Sequence, residues 1–419
     1  MQNKLDKLQN AIIENDVPQM AAYIVSHAVD MRSSDIHIEP AEYTVRIRFR
    51  VDGVLRQIVE YPPNLHPAVT SRLKIMSNLK IDENRIPQDG RIQITTKDGK
   101  ELDLRTSTLP TVYGEKIVMR IQDRSREIPT LDKLGIENYN LSVIKKTIAY
   151  PNGIVLTTGP TGSGKTTTLY ACLNILNTSE VNIMTIEDPV EIQIDGLNQS
   201  QVYPAIDYSF AFGLRTGLRQ DPDIIMVGEI RDKETINVSV EAALTGHLVL
   251  STIHTNSAVS TLTRILNMGI PTFLITATIN SIISQRLVRR ICEHCKEELT
   301  LGSDAENKIR YAMKTMNTNK KTELGITDPE THPIKIYHGK GCPECGDTGY
   351  MNRIGLYEVM EMDNKLRRKI LDGATELEIE EAAIAAGMTT LEQDGVGKIL
   401  QGITTPEEVY TVARAAEDQ

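Results

Sequence analysis

The sequence predicts an α/β fold, in which a domain built on a parallel sheet follows a smaller α+β domain with a largely antiparallel sheet. Three observations carry this. Residues 45–51 alternate apolar and polar side chains ahead of Asp52-Gly53, the mark of a hairpin. Beyond residue 138, short apolar runs alternate with helical stretches, the rhythm of βαβ units. Between 289 and 353 that rhythm stops and two Cys-x-x-Cys pairs appear. A length of 419 residues suits two or three domains and more than one core.

In order along the chain, Val17, Met20, Ala21, Ile24, Val25, Ala28 and Val29 recur at helical spacing. SSDIHIEP then reads as a short strand. Val45, Ile47, Phe49 and Val51 face one way on the next strand, and Asp52-Gly53 turns it back. A second hairpin spans RIQITTKDGKELDLRTS with Asp98-Gly99 at its turn, and GEKIVMRI adds a further strand. Residues 1–125 therefore read as an α+β domain and 126–138 as a charged linker ending in Pro and Gly signals.

The next domain, 139–288, reads GIVLTTG as strand, KTTTLYACLNIL as helix and VNIMTIED as strand. DPDIIMVGE (strand), TINVSVEAAL (helix) and HLVLSTIH (strand) follow. Residues 289–353 form an irregular cysteine-bearing subdomain, and 354–419 a helical C-terminal region. There, Thr405, Pro406 and Glu408 compose a capping box at a helix start.

Composition excludes several classes. Hydrophobic residues at 40% and charged residues at 24% rule out a disordered or collagen-like chain. There is no apolar run of about 18 residues for a membrane-spanning helix, and MQNKLDKLQN lacks the pattern of a signal peptide. Five cysteines, four of them in two Cys-x-x-Cys pairs, fit a reducing compartment and a metal site better than a disulfide scaffold. A net charge of −10 argues against a dedicated nucleic-acid binder, while leaving room for a local basic patch.

Gly159-Pro160-Thr161-Gly162-Ser163-Gly164-Lys165-Thr166 matches G-x-x-x-x-G-K-[ST], with a strand before it and a helix after it. Such glycines let backbone N–H groups wrap phosphate oxygens at a helix N-terminus. Lys165 is expected at the β- and γ-phosphates of ATP and Thr166 at Mg²⁺, with Thr167 extending the nucleotide-binding run. Ile224–Val227 leads into Gly228-Glu229, an acid at a strand end beside the P-loop, placed to hold the Mg²⁺ shell or orient water. Asp221, Asp223 and Asp232 nearby read as solvated turn residues. Glu187 closes another strand, where parallel sheets collect ligands, and is placed to polarise water; an acidic turn is the plain alternative. His254 falls at the same edge, where a neutral imidazole donates to a γ-phosphate, and His247 starts that strand.

Cys292, Cys295, Cys342 and Cys345 supply four thiolates, which suits tetrahedral Zn²⁺ of structural type. Four buried cysteines or a redox pair are the alternatives. The gap between the two pairs is longer than usual and needs a subdomain to fill it. Cys172, on the helix after the P-loop, is most simply a core residue.

GPTGSGKT, TIEDPVE, DPDIIMVGEIRD and TGHLVLSTIHTN resemble, in order and spacing, the Walker A, Asp box, Walker B and His box of the secretion ATPase superfamily. The paired cysteine knuckles are similar to those of its type II secretion and type IV pilus assembly branch. SSDIHIEP, RFRVDGVL, IPQDGRI and LRTSTLPTVYGEKIVMRI resemble that family's second amino-terminal domain. The resemblance implies a RecA-like P-loop ATPase core behind a PAS-like domain, assembled as a homohexamer. It implies Glu229 as the Walker B acid and Glu187 as the Asp-box acid. It also places Arg105 and Arg120 at the nucleotide, with Arg85 and Arg91 as weaker candidates; without it, surface salt bridges would be the reading. Arginine suits that task through its planar, permanently charged fork. A motor at the cytoplasmic face of the inner membrane is implied, peripheral to the bilayer and acting on a platform protein, with no nucleic-acid partner. A nucleotide-dependent regulatory module and a motor for DNA uptake or conjugation are the rival readings. Members of the family usually carry a further amino-terminal domain that docks on the platform, whereas the likeness here begins near residue 15, close to the first residue.

Overall fold

The computed structural model describes residues 2–417, except 97, 98, 100, 124–126 and 301. Asp98 of the expected turn lies outside the described residues. The chain divides into two compact units, Met1–Glu127 and Ile128–Gln419.

The first unit opens with helices α1 (Gln2–Ile13) and α2 (Val17–Asp30), the latter capped by Asp16 accepting from Gln19 N. Its strands are β1 (Asp35–Pro40), β2 (Val45–Val51), β3 (Val54–Tyr61), β4 (Gln88–Thr95), β5 (Glu101–Thr111) and β6 (Gly114–Asp123). Helix α3 (His66–Met76) lies between β3 and β4. The strands form one antiparallel sheet in the order β3-β2-β1-β6-β5-β4. Alternation does its work here. Ile47, Phe49, Ile36, Ile38, Ile117 and Met119 pack with Met20, Ala21, Ile24 and Ala28 of α2 in one core. Periodicity had not marked α1 or α3.

The second unit holds helix α4 (Asn138–Ile148), strand β7 (Gly153–Thr158), helix α5 (Lys165–Leu176), strands β8 (Ile183–Glu187) and β9 (Asn198–Gln201), helix α6 (Phe210–Gly217) and strand β10 (Ile224–Val227). Helix α7 (Lys233–Leu244), strand β11 (Leu248–Ile253), helix α8 (Ala258–Asn267) and strands β12 (Ile279–Ile291), β13 (Lys296–Leu299), β14 (Ile336–Gly339) and β15 (Tyr350–Glu361) complete the pattern before the last helices. Seven strands make one sheet, β15-β12-β7-β11-β10-β8-β9, parallel except for β15. Strands β7, β10 and β11 are buried throughout, as both faces of a parallel sheet must be when helices cover them. Alternate residues serve two cores: Ile154, Leu156, Ile225 and Val227 one face, Val155, Ile224 and Met226 the other.

Two expectations need correction. Residues 354–361 are not helical: they belong to β15, which pairs antiparallel with β12 at the sheet edge. Only from Asn364 onward is the tail built of helices. The capping box at Thr405 is also incomplete. Thr405 Oγ1 accepts from Glu408 N at 3.5 Å, but the Glu408 carboxylate is taken by Arg289, from its backbone N (2.9 Å) and its guanidinium (2.6 and 3.0 Å). A charge-assisted fork outcompetes a cap within the helix turn. Among the described residues, no helix is long and apolar enough to cross a membrane.

Candidate nucleotide site and cysteine cluster

The P-loop leaves the carboxyl end of β7 and feeds α5. Three of its residues need the conformations glycine permits: φ is 147° at Gly159, 79° at Gly162 and 88° at Gly164. At Gly159 a Cβ would also meet Gln285 O at 2.4 Å, so no other residue fits that approach. Lys165 Nζ lies across the loop, donating to Gly159 O at 2.8 Å and Pro160 O at 3.1 Å. Burial pushes its ammonium down to about 8, opposed by the Glu229 charge and helped by that of Arg286. Among the described residues, Ser163 Oγ, buried in the loop, has no hydrogen-bond partner. A donor-rich cradle with a cation at its mouth and a spare hydroxyl is chemistry for an anion, and it fits a polyphosphate. Thr166, in the first turn of α5, is half-buried, and Thr161 and Gly162 face solvent.

Two further strand ends reach the same edge. Gly228 N donates to Ile186 O at 2.7 Å, Thr252 Oγ1 to Gly228 O at 2.8 Å, and Ile230 N to Thr252 O at 2.8 Å. These bonds hold Glu229 between the ends of β8 and β11. Its carboxylate pairs with Arg231 and lies 3.4 Å from His254 Nε2. Burial, then the Lys165 charge, lower the pKa of His254, which keeps the ring neutral at pH 7. Lys165, Thr166, Glu229 and His254 therefore share one edge of the sheet.

Glu187 ends β8 but turns inward, 2% exposed. It accepts from Tyr170 Oη, from Thr185 Oγ1 at 2.5 Å and from Gln199 Nε2 at 3.1 Å. Burial raises its pKa. In this arrangement the carboxylate locks β8 to the P-loop helix rather than facing water. His247 is at the opposite end of β11 from His254, bonded through Nδ1 to Ala242 O at 2.9 Å, and is not brought to the site. Asp232 caps α7 from Thr235 N at 2.8 Å, and Asp223 accepts from Asn182 N at 2.8 Å, so both are structural.

In the first unit, Arg105 and Arg120 face each other across β5 and β6. Arg91 pairs with Arg105, and Asp35 sits between Arg120 and Arg50 in register. The row Arg50-Asp35-Arg120-Arg105-Arg91 crosses five strands. Asp35 lies within the row, 3.1 Å from Arg120 Nε and 3.6 Å from Arg50 Nε. Like charges directly opposite destabilise a sheet unless an anion joins them. Sequence reading identified two of these arginines strongly and Arg91 weakly, but could not find Arg50, because pairing partners on other strands are invisible in one dimension. Arg85 lies outside the row and pairs with Glu83 at 3.1 Å.

The four sulfurs of Cys292, Cys295, Cys342 and Cys345 lie within 4.8 Å of one another. Neighbouring Sγ atoms are 3.7–3.9 Å apart. A tetrahedron with Zn–S bonds of about 2.3 Å has edges of roughly 3.8 Å, so the cluster fits zinc. The long gap between the pairs is occupied by helices Ser303–Thr315 and Thr318–Glu323 and by strand β14. Cys172 is a buried core residue whose thiol burial pushes up to about 12.

Gln285 and Arg286 on β12 were not identified from the sequence, yet both abut the P-loop. Gln285 Nε2 donates to Ser163 O at 2.6 Å. The signal was there in SQRL, polar residues inside an apolar strand.

The family described as type II/IV secretion system protein matches residues 9–411. A relative in Myxococcus xanthus, named type IV pilus assembly ATPase PilB, is 46% identical over 99% of this chain and 70% of its own length. The type II secretion system ATPase E of Vibrio cholerae is 44% identical over 96% of this chain and 76% of its own. Among solved structures, the Legionella pneumophila ATPase DotB superposes with a TM-score of 0.66 at 23% identity, covering 95% of this chain and 96% of that one, a likeness of fold.

Proposed function

The chain belongs to the type II/IV secretion system protein family, and from that premise we propose a hexameric motor that assembles a type IV pilus or a type II secretion pseudopilus. It is an ATP hydrolase of the secretion and pilus class. In our reading it works at the cytoplasmic face of the inner membrane and pushes on a platform protein there. The observation that carries the reading is the meeting of Lys165, Glu229 and His254 at one sheet edge, in a chain nearly half identical to pilus and secretion ATPases.

The roles follow from position. The P-loop amides and Lys165 hold the β- and γ-phosphates. Mg²⁺, when bound, neutralises developing charge on the phosphates, with Thr166 as its protein ligand. Glu229 orients the attacking water once nucleotide draws Arg231 away from it. His254 donates to the γ-phosphate as a neutral ring. Glu187 acts at one remove, fixing the end of β8 to the P-loop helix through Tyr170. Arg105 and Arg120, opposite each other on β5 and β6, bring permanent charge to the transferred phosphoryl group. We assign 139–288 as the catalytic core and 1–125 as the arginine-bearing domain, joined by 126–138. The cysteine subdomain, 289–353, carries zinc in a structural role, because four protein ligands leave no open position.

The test is genetic. In a strain lacking this gene, the wild-type copy restores surface pili or secretion, and a Lys165→Ala copy made at equal level restores neither. Restoration by Lys165→Ala would overturn the motor reading.

A further inference from the structure

Arg286 is 4% exposed and makes no salt bridge among the described residues; burial lowers its pKa and the Glu358 charge opposes this. Burying a guanidinium is costly unless its donors are satisfied. A leucine would fill that position on β12 at lower cost. What the guanidinium reaches is informative. Nη2 donates to Asn256 O at 2.9 Å and lies 3.4 Å from Asn256 Oδ1, while Nη1 donates to Gln285 O at 3.1 Å. Asn256 is two residues past His254.

The neighbours of Arg286 divide the same task. Strand β12 runs parallel to β7 with Ser284 opposite Thr158, so residues 285 and 286 continue alongside the P-loop. Gln285 grips Ser163 O, and Ser284 Oγ donates to Asn256 O at 3.3 Å. Arg286 Nη1 would stand 3.1 Å from a Cβ at Gly159. On the far side, Glu358 of β15 accepts from Ala258 N at 2.7 Å and fixes the start of α8. Thr158 Oγ1 donates to Thr255 O and accepts from Thr255 N, both at 3.0 Å. The loop bearing His254 and the loop bearing Lys165 are thus fastened to one strand end: Arg286 bonds the first at Asn256 and lies beside Gly159, while Gln285 bonds the second at Ser163 O.

We infer that Arg286 is a positioning residue for hydrolysis, which holds the His254 loop in register with the P-loop so that imidazole and ammonium meet one phosphate group. This rests on the site roles proposed above. Its planar fork makes directional bonds that an ammonium on a flexible stem does not reproduce.

The experiment is a double-mutant cycle on the full chain, read by single-turnover ATP hydrolysis and by binding of a fluorescent ATP analogue. Arg286→Lys should slow hydrolysis about tenfold while nucleotide Kd stays within about threefold of wild type. In the His254→Ala background the same change should cost no more than about twofold, since the group being positioned is gone. A merely structural arginine would slow both backgrounds equally, and that additivity would overturn the inference, as would wild-type hydrolysis by Arg286→Lys. Should Arg286→Lys fail to fold, Asn256→Ala removes one acceptor and leaves the carbonyl. It should cost about twofold to threefold, again absent without His254. Glu229→Gln in the same assay separates the two levels. If it hydrolyses ATP normally, the site reading itself fails; if it is inactive and the cycle is additive, only the role of Arg286 fails.

Discussion

His254 Nε2 lies 3.4 Å from Glu229 Oε2, joining the ends of β10 and β11 beside the P-loop. The pair brings an acid and a ring held neutral by burial to one edge, with Arg231 on the other side of the acid. A neutral ring donates one proton and carries no competing charge, which suits a γ-phosphate contact. His254→Ala should lower kcat by about tenfold to a hundredfold with little change in ATP affinity. Rapid-quench kinetics with a parallel binding titration check this, and a loss of affinity with kcat unchanged would place His254 in binding alone.

Lys165 gives a pH prediction. Burial holds its ammonium down to about 8 in the free protein, and bound phosphate charge raises it. The sign follows: nucleotide prefers the protonated lysine, so affinity is full below pH 8 and weakens as pH climbs through it. From pH 8 upward ATP binding should take up protons. Calorimetry in two buffers of different ionisation enthalpy reads this directly, and proton release on binding at pH 8.5 would reverse the assignment.

The cysteine cluster should hold about one zinc per chain, as its sulfur spacing allows. Cys342→Ser should lower the thermal midpoint by about 5 °C or more and leave ATP affinity intact. Metal analysis and a melting curve suffice. A metal-free wild type with full stability would refute the zinc.

If the proposed ring forms and its arginines act across subunits, mixing of inactive variants tests it. Arg105 and Arg120 stand opposite each other, and Arg120 is 63% exposed. Each arginine should be worth roughly 10³–10⁵-fold in hydrolysis, as trans arginines are elsewhere. Arg105→Ala and Lys165→Ala proteins, each inactive, should regain hydrolysis when mixed into common rings. Proven mixed rings without activity would rule out trans action and leave action from the same chain's amino-terminal domain.

Much of this was legible in one dimension, for physical reasons. The P-loop is read from spacing because the glycines at 159, 162 and 164 answer a local backbone demand. Strands β2, β7 and β11 are read from runs that only a half-buried or fully buried strand tolerates. Strand β12 was not, because it is buried over most of its length and then carries Arg286, Arg289 and Arg290, so neither alternation nor a clean apolar run survives. The Glu408–Arg289 pair spans 119 positions and no local rule anticipates it. Glu187 was read correctly as a strand end, but its inward turn depends on Tyr170, Thr185 and Gln199 from three different elements.

The proposed role of Glu229, orienting water on bound ATP at the end of β10, depends on its charge. Phosphate release and ATP binding measured on Glu229→Gln test it most directly, since the substitution keeps shape and removes charge. ATP affinity should stay within about threefold of wild type while turnover falls at least about a hundredfold. Turnover equal to wild type would contradict it.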